Sequence, residues 1–235
     1  MSDLGKQNEE IQLGNFMKKG KFITSGIFGI LSIIWIILIK TVDVDDIGPA
    51  GTSIGLSHIN KAVFETIGTH KAWYLITEAL GIFAICVAGI FALLGLVQLI
   101  KGKGLKSVDR EIIALGGLYA IVIGLYIIFE QLVVNYRPVI MEGATAPEAS
   151  FPSSHTMMTC VVMGSAMLLM EKYIKHDTLR HALWLVCAIV LVITVAGRLL
   201  SGIHWFTDIV GGVLISMTLL ACFSGVKGVI QSKKF

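Results

Sequence analysis

Arg198-Leu-Leu-Ser-Gly-Ile-His204-Trp-Phe-Thr-Asp208 separates two apolar runs, Ala182–Ala196 and Ile209–Gly225, the first able to extend towards Ile203. Two such runs joined by a short polar turn read as neighbouring helices in a bilayer, where roughly 20 apolar residues span the core. The turn holds three ionisable side chains in eleven positions. An imidazole can attack, a carboxylate four residues on can orient it, and a guanidinium six residues before can hold an anion. Pairs at i,i+4 are common on helices, so this stretch gains meaning only from partners elsewhere in the chain.

The rest of the chain repeats the apolar pattern. Of 235 residues, 55% are hydrophobic and 15% are charged, with a mean hydropathy of +0.80. Soluble domains are roughly a quarter charged. Further apolar runs fall at Phe22–Ile39, Trp73–Ile100, Ile112–Val134 and Thr156–Met170. The expected fold is therefore all-α: an integral membrane bundle of six transmembrane helices. Residues 1–21 form a polar N-terminal segment, and residues 22–235 a single transmembrane domain. Lys18, Lys19 and Lys21 precede the first run as in a signal peptide. No small-residue cleavage site follows, so the run is expected to stay as a helix. The cysteines Cys86, Cys160, Cys187 and Cys222 lie inside apolar runs without metal-ligand spacing, and read as small buried hydrophobes. No metal or cofactor is expected. The net charge of +3 is too small to point to nucleic acid; the bilayer is the expected partner.

The longest loop covers residues 40–71. Asp43, Asp45 and Asp46 precede a Gly48-Pro49 turn and read as a solvated acidic loop. Leu56, Ile59, Val63, Phe64 and Ile67 then recur at helical spacing, with Lys61 and Glu65 on the other side. This predicts a short amphipathic helix at the interface, either a lid over a lipid site or a helix that only packs on the bundle. With six spans, the N-terminus, residues 101–111, residues 171–181 and the C-terminus share one side and carry most of the basic residues. Only Lys40, Lys61, Lys71, Arg137 and Arg198 fall on the other. The positive-inside rule puts both termini in the cytoplasm and the loops near 40–71, 130–155 and 197–208 outside.

That outer side also holds Arg137-Pro138 after the third run and Pro152-Ser153-Ser154-His155 before the fourth. Two arginines, two histidines, hydroxyls and an aspartate then converge at one membrane depth. Phosphoryl transfer suits this set. Arg137 and Arg198 offer planar donor forks that match phosphate oxygens. Ser153 and Ser154 precede a helix whose free N–H groups bind anions. His204, with Asp208 at i+4, is the expected nucleophile, and His155 the general acid. Glu78 lies just inside the second run and Glu130 near the exit of the third. Both are candidate modulators, because an ionisable group in a span faces protein or water.

Arg137-Pro138, Pro152-Ser153-Ser154-His155 and Arg198 with five residues to His204 and three to Asp208 resemble the three-part signature of the type-2 phosphatidic acid phosphatase family. The resemblance runs from about the third span to the sixth. It implies a membrane lipid phosphatase working through a phosphohistidine without a metal, with His204, His155 and Asp208 catalytic and Arg137, Arg198 and Ser153 binding phosphate. It puts undecaprenyl diphosphate, phosphatidylglycerol phosphate and phosphatidic acid forward as candidate substrates, in a bacterial plasma membrane. Three positions depart from the family pattern: Glu130 stands where a Lys is usual, Ser154 where a Gly is, and Gly197 where a Ser is. Glu130 is the consequential one: it replaces a phosphate-binding cation with an anion, or else pairs with Arg137 or Arg198 and positions it. The alternative expectations are a lipid-phosphate-binding homologue without turnover, or a lipid phosphotransferase.

Overall fold

The computed structural model describes residues 3–232. Among these, the chain forms seven α-helices: α1 Asp3–Thr41, α2 Ser57–Ile67, α3 Lys71–Gly102, α4 Arg110–Gln131, α5 Ser154–Tyr173, α6 Asp177–Leu200 and α7 Phe206–Ser232. Short 3-10 turns at Pro49–Gly51 and Leu105–Ser107 lie between them. Isolated bridges pair Asp45 with Ile54 and Tyr136 with Ala149.

Six spans were expected; five helices are long and apolar enough to cross a membrane: Lys18–Thr41 of α1, then α3, α4, α6 and α7. α5 is the exception, and its position gives the reason. It packs against α3, α4, α6 and α7, and Met157, Val161, Met163, Ala166 and Leu169 are almost fully covered. A helix enclosed by other helices has no need of an all-apolar surface. α5 accordingly carries Thr156, Thr159 and Ser165, each with no exposed surface. The outer helices show the reverse. Ile82, Ile90, Ile123 and Val192 stand exposed, as side chains facing lipid do.

α1 lies along α7, and small residues let the two approach. A Cβ on Gly225 would sit 2.8 Å from the Phe22 ring, and Ser25 donates to the Thr218 carbonyl at 2.9 Å. At one end of the bundle, Lys172 of α5 pairs with Glu111 of α4 at 3.0 Å and with Asp109 at 2.9 Å. Asp109 also accepts from Tyr173 (2.9 Å) and Gln98 (3.0 Å), so α3, α4 and α5 are tied there by charge.

The cysteines divide. Cys160 and Cys187 are buried as expected, but Cys86 and Cys222 are exposed on the outer surfaces of α3 and α7. An apolar run in a bilayer puts half its residues against lipid, so an apolar neighbourhood does not imply burial in protein. The acidic loop is also more than solvated. Asp43 accepts from Ser57 Oγ and His58 N, both at 2.9 Å, and so caps α2 from fourteen residues upstream. The face that α2 buries contains Ser57 and Asn60, whereas Ile59 is exposed.

Candidate active site

At the opposite end from the Lys172 network, the α4–α5 loop, the start of α5 and the α6–α7 turn meet. The loop is a narrow hairpin: Arg137 N donates to the Glu148 carbonyl at 2.9 Å and Ser150 N to the Asn135 carbonyl at 3.0 Å. Trp205 Nε1 donates to the Tyr136 carbonyl at 2.7 Å, which fastens the hairpin to the turn. The turn is closed by Gly202 at φ +68°, where a Cβ would meet the Gly68 carbonyl at 2.1 Å. Only glycine permits that approach.

His204 is 3% exposed. Its Nδ1 faces the Ser150 carbonyl at 3.1 Å and Asp208 Oδ2 at 3.7 Å. Its Nε2 faces Arg137 Nη1 at 3.4 Å. A guanidinium only donates, so Nε2 presents its lone pair and the proton sits on Nδ1, held by the carbonyl. Burial first, then the charges of Arg137 and Arg198, hold this imidazole well below its ordinary range. It is therefore neutral. Asp208, fully buried, gives its nearer contacts to Trp205 N at 3.0 Å and Asn135 Nδ2 at 3.4 Å. Its carboxylate fixes the turn that presents His204 as well as standing behind the ring.

Arg198 is 2% exposed. Its Nη1 donates to Thr77 Oγ1 at 3.1 Å and Glu78 Oε1 at 2.9 Å, and the guanidinium lies over the Tyr74 ring at 5.7 Å. Its Nε is buried with no partner. Arg137 Nε lies 3.2 Å from Glu148 Oε2, but outside hydrogen-bond geometry, and is likewise a buried donor without an acceptor. Ser153 is fully buried and its Oγ also lacks a partner. Buried donors rarely stay unsatisfied, and a tetrahedral anion is the kind of ligand that would satisfy these.

Ser154 opens α5, where the first backbone N–H groups have no helical acceptor, and His155 follows with Nε2 3.2 Å from Glu78 Oε1. Glu130 is exposed in the last turn of α4. It lines a small pocket with Arg137, Ser150, Ser154 and His204. It pairs with neither arginine: Arg137 has Glu148 and Arg198 has Glu78. Beside this pocket runs a larger, mainly apolar cleft between α3, α4 and α5. Tyr126, Ser154 and Met157 line both. Among the described residues no three His, Cys, Asp or Glu side chains converge as metal ligands.

The structure thus gathers all nine residues singled out in the sequence around one end of the bundle. It adds Asn135, Ser150, Thr77 and Glu148, which sequence reasoning missed. Glu148 had a signal, being an acidic residue in the same short loop as Arg137; the other three had none.

A bundle of apolar helices with a polar, anion-seeking pocket at one end defines the class. A sequence model of the PAP2 superfamily matches residues 83–228, and the chain belongs to that superfamily. The fold is similar to the crystal structure of a transmembrane PAP2-type phosphatidylglycerolphosphate phosphatase from Bacillus subtilis, with a TM-score of 0.62 and 14% identity. That likeness covers 87% of this chain and 96% of the other. Among curated proteins, none matches this chain.

Proposed function

We propose that the chain is a membrane lipid phosphate phosphatase working through a phosphohistidine on His204. The observation that carries this is the neutral, buried His204, its Nε2 lone pair turned to Arg137 beside the free amides of α5. Nε2 attacks phosphorus as the phosphorus–oxygen bond to the lipid breaks. His155 gives its proton to the leaving oxygen. Arg137, Arg198, Ser153 and the α5 N–H groups take the charge that develops on the phosphoryl oxygens. Water then attacks the phosphohistidine, His155 takes the proton, and phosphate leaves with His204 restored.

The apolar cleft between α3, α4 and α5 supports a lipid over a soluble ester. It is walled by residues such as Ile82, Ile85, Val122 and Ile123, and reaches Glu78 and His155 at its polar end. We take α5 as the sixth span, since its polar residues face protein. Lys and Arg asymmetry then puts the termini in the cytoplasm and the site at the extracytoplasmic face, in a bacterial plasma membrane. The Bacillus subtilis relative's own substrate joins undecaprenyl diphosphate and phosphatidic acid in the test panel.

The experiment is phosphate release by the purified protein in detergent, with EDTA present and His204→Ala as control. Release that EDTA leaves intact and His204→Ala abolishes is the expected result. A second reading, a homologue that binds lipid phosphates without turnover, rests on Glu130 in the pocket wall. No release by wild type from any of the three lipids, with activity appearing in Glu130→Lys, would select it.

A further inference from the structure

Glu78 stands on α3 five residues before the segment that the superfamily model covers. A carboxylate inside a span is costly unless it is paired, and this one is paired twice through a single oxygen. Oε1 accepts Arg198 Nη1 at 2.9 Å and lies 3.2 Å from His155 Nε2. The helix around it is shaped to the same two residues. Thr77 takes Arg198 Nη1 at 3.1 Å. Gly81, three residues on, leaves space for the imidazole, since a Cβ there would lie 2.7 Å from His155 Cδ2.

The other charged groups acting on His155 are cations: Arg198 from α6 and Arg137 from the α4–α5 loop. His204, in the α6–α7 turn, is neutral. Burial first, and then the two guanidiniums, oppose the imidazolium that a general acid must be. Glu78 opposes them, and a bound phosphate would add anionic charge in the same sense.

We infer that Glu78 is the positioning residue for leaving-group protonation, holding the Nε2–H of cationic His155 so that Nδ1–H meets the leaving oxygen. It rests on the phosphatase reading above. As the bond from His204 Nε2 to phosphorus forms and the bond to the lipid oxygen breaks, the Nδ1 proton passes to that oxygen. The Nε2 proton stays against Glu78. In the second step Nδ1 recovers a proton from the attacking water. Through the same oxygen Glu78 anchors Arg198 by Nη1, which leaves the unpartnered Nε–H for phosphate.

The test uses the full chain in detergent, comparing wild type, Glu78→Gln and Glu78→Asp on phosphatidic acid and on p-nitrophenyl phosphate, whose leaving group needs no proton. Glu78→Gln should lower kcat on the lipid by about 100-fold or more, the usual scale of general acid catalysis. It should cost less than about tenfold on the nitrophenyl ester. The basic limb of the lipid pH profile should move down by about one unit, as loss of an adjacent opposite charge requires. Glu78→Asp should recover part of the lipid rate. In a His155→Ala background, Glu78→Gln should add little further loss on the lipid. Equal losses on both substrates from protein that melts like wild type, an unmoved basic limb, or additive losses in the double variant would each overturn the assignment. Should phosphatidic acid be a poor substrate, the lipid arm uses whichever of the three lipids wild type hydrolyses fastest; absence of release by wild type from all three lipids and from the nitrophenyl ester would overturn the phosphatase reading itself, and this inference with it.

Discussion

His204 carries its proton on Nδ1 because a backbone carbonyl, that of Ser150, is nearer than the carboxylate of Asp208. Under the phosphatase reading, the attacking nitrogen is therefore set by a loop that also carries Arg137. Its titration follows from the surroundings. Burial and the nearby guanidiniums push the imidazole down, so the neutral form persists as pH falls through about 6.5, where an ordinary histidine takes up its proton. Phosphoenzyme formed from p-nitrophenyl phosphate in a rapid-quench experiment should hold its amplitude and rate well below that pH. A half-maximum near 6.5 would contradict the burial argument. None of this was legible in the sequence. The i,i+4 spacing of His204 and Asp208 announced a pair, but the carbonyl of Ser150, the amide of Asn135 and the hydroxyl of Thr77 come from 54, 73 and 121 positions away. Contacts of that separation leave no local pattern.

Helices, by contrast, were readable because apolar runs of bilayer length have few alternatives. Their ends were less readable: α7, expected over Ile209–Gly225, runs over Phe206–Ser232, and α1, expected from Phe22, begins at Asp3. What the pattern could not give is which side of each helix meets protein, because lipid and protein interior are equally apolar. α2 shows the limit. Its apolar stripe left open a lid or a helix packed on the bundle, and polar groups bind it to the bundle. Asn60, fully buried, bonds Gly55, Thr207 Oγ1 and Thr207 N. The link between α4 and α5 is ionic, and it makes a prediction at this scale. Lys172→Met removes the cation that Asp109 and Glu111 share; Glu111 is buried but Lys172 and Asp109 are part-exposed, so the loss should fall below the roughly 3–5 kcal/mol of a fully buried pair. Thermal unfolding in detergent should drop accordingly. The rate at the far end should hold at temperatures where the variant stays folded.

Across the whole molecule, charge and exposure are laid out in zones. The site lies at one end, the Lys172 network at the other, and the sides between them are isoleucine, leucine and valine. The chain before the superfamily match supplies α1, α2 and the first turns of α3. It is through α3 that Thr77 and Glu78 reach Arg198.

The cleft between α3, α4 and α5 shares a wall with the pocket of His204 at Tyr126, Ser154 and Met157. Under the phosphatase reading, the relevant concentration is then two-dimensional. The enzyme samples the mole fraction of lipid within its own micelle or bilayer, and the amount per litre is irrelevant. Adding detergent at constant bulk lipid phosphate should slow turnover in proportion to the dilution. Adding detergent and lipid together at fixed ratio should leave it unchanged. Dependence on bulk concentration alone would mean that substrate arrives from water, and that the cleft is not its road.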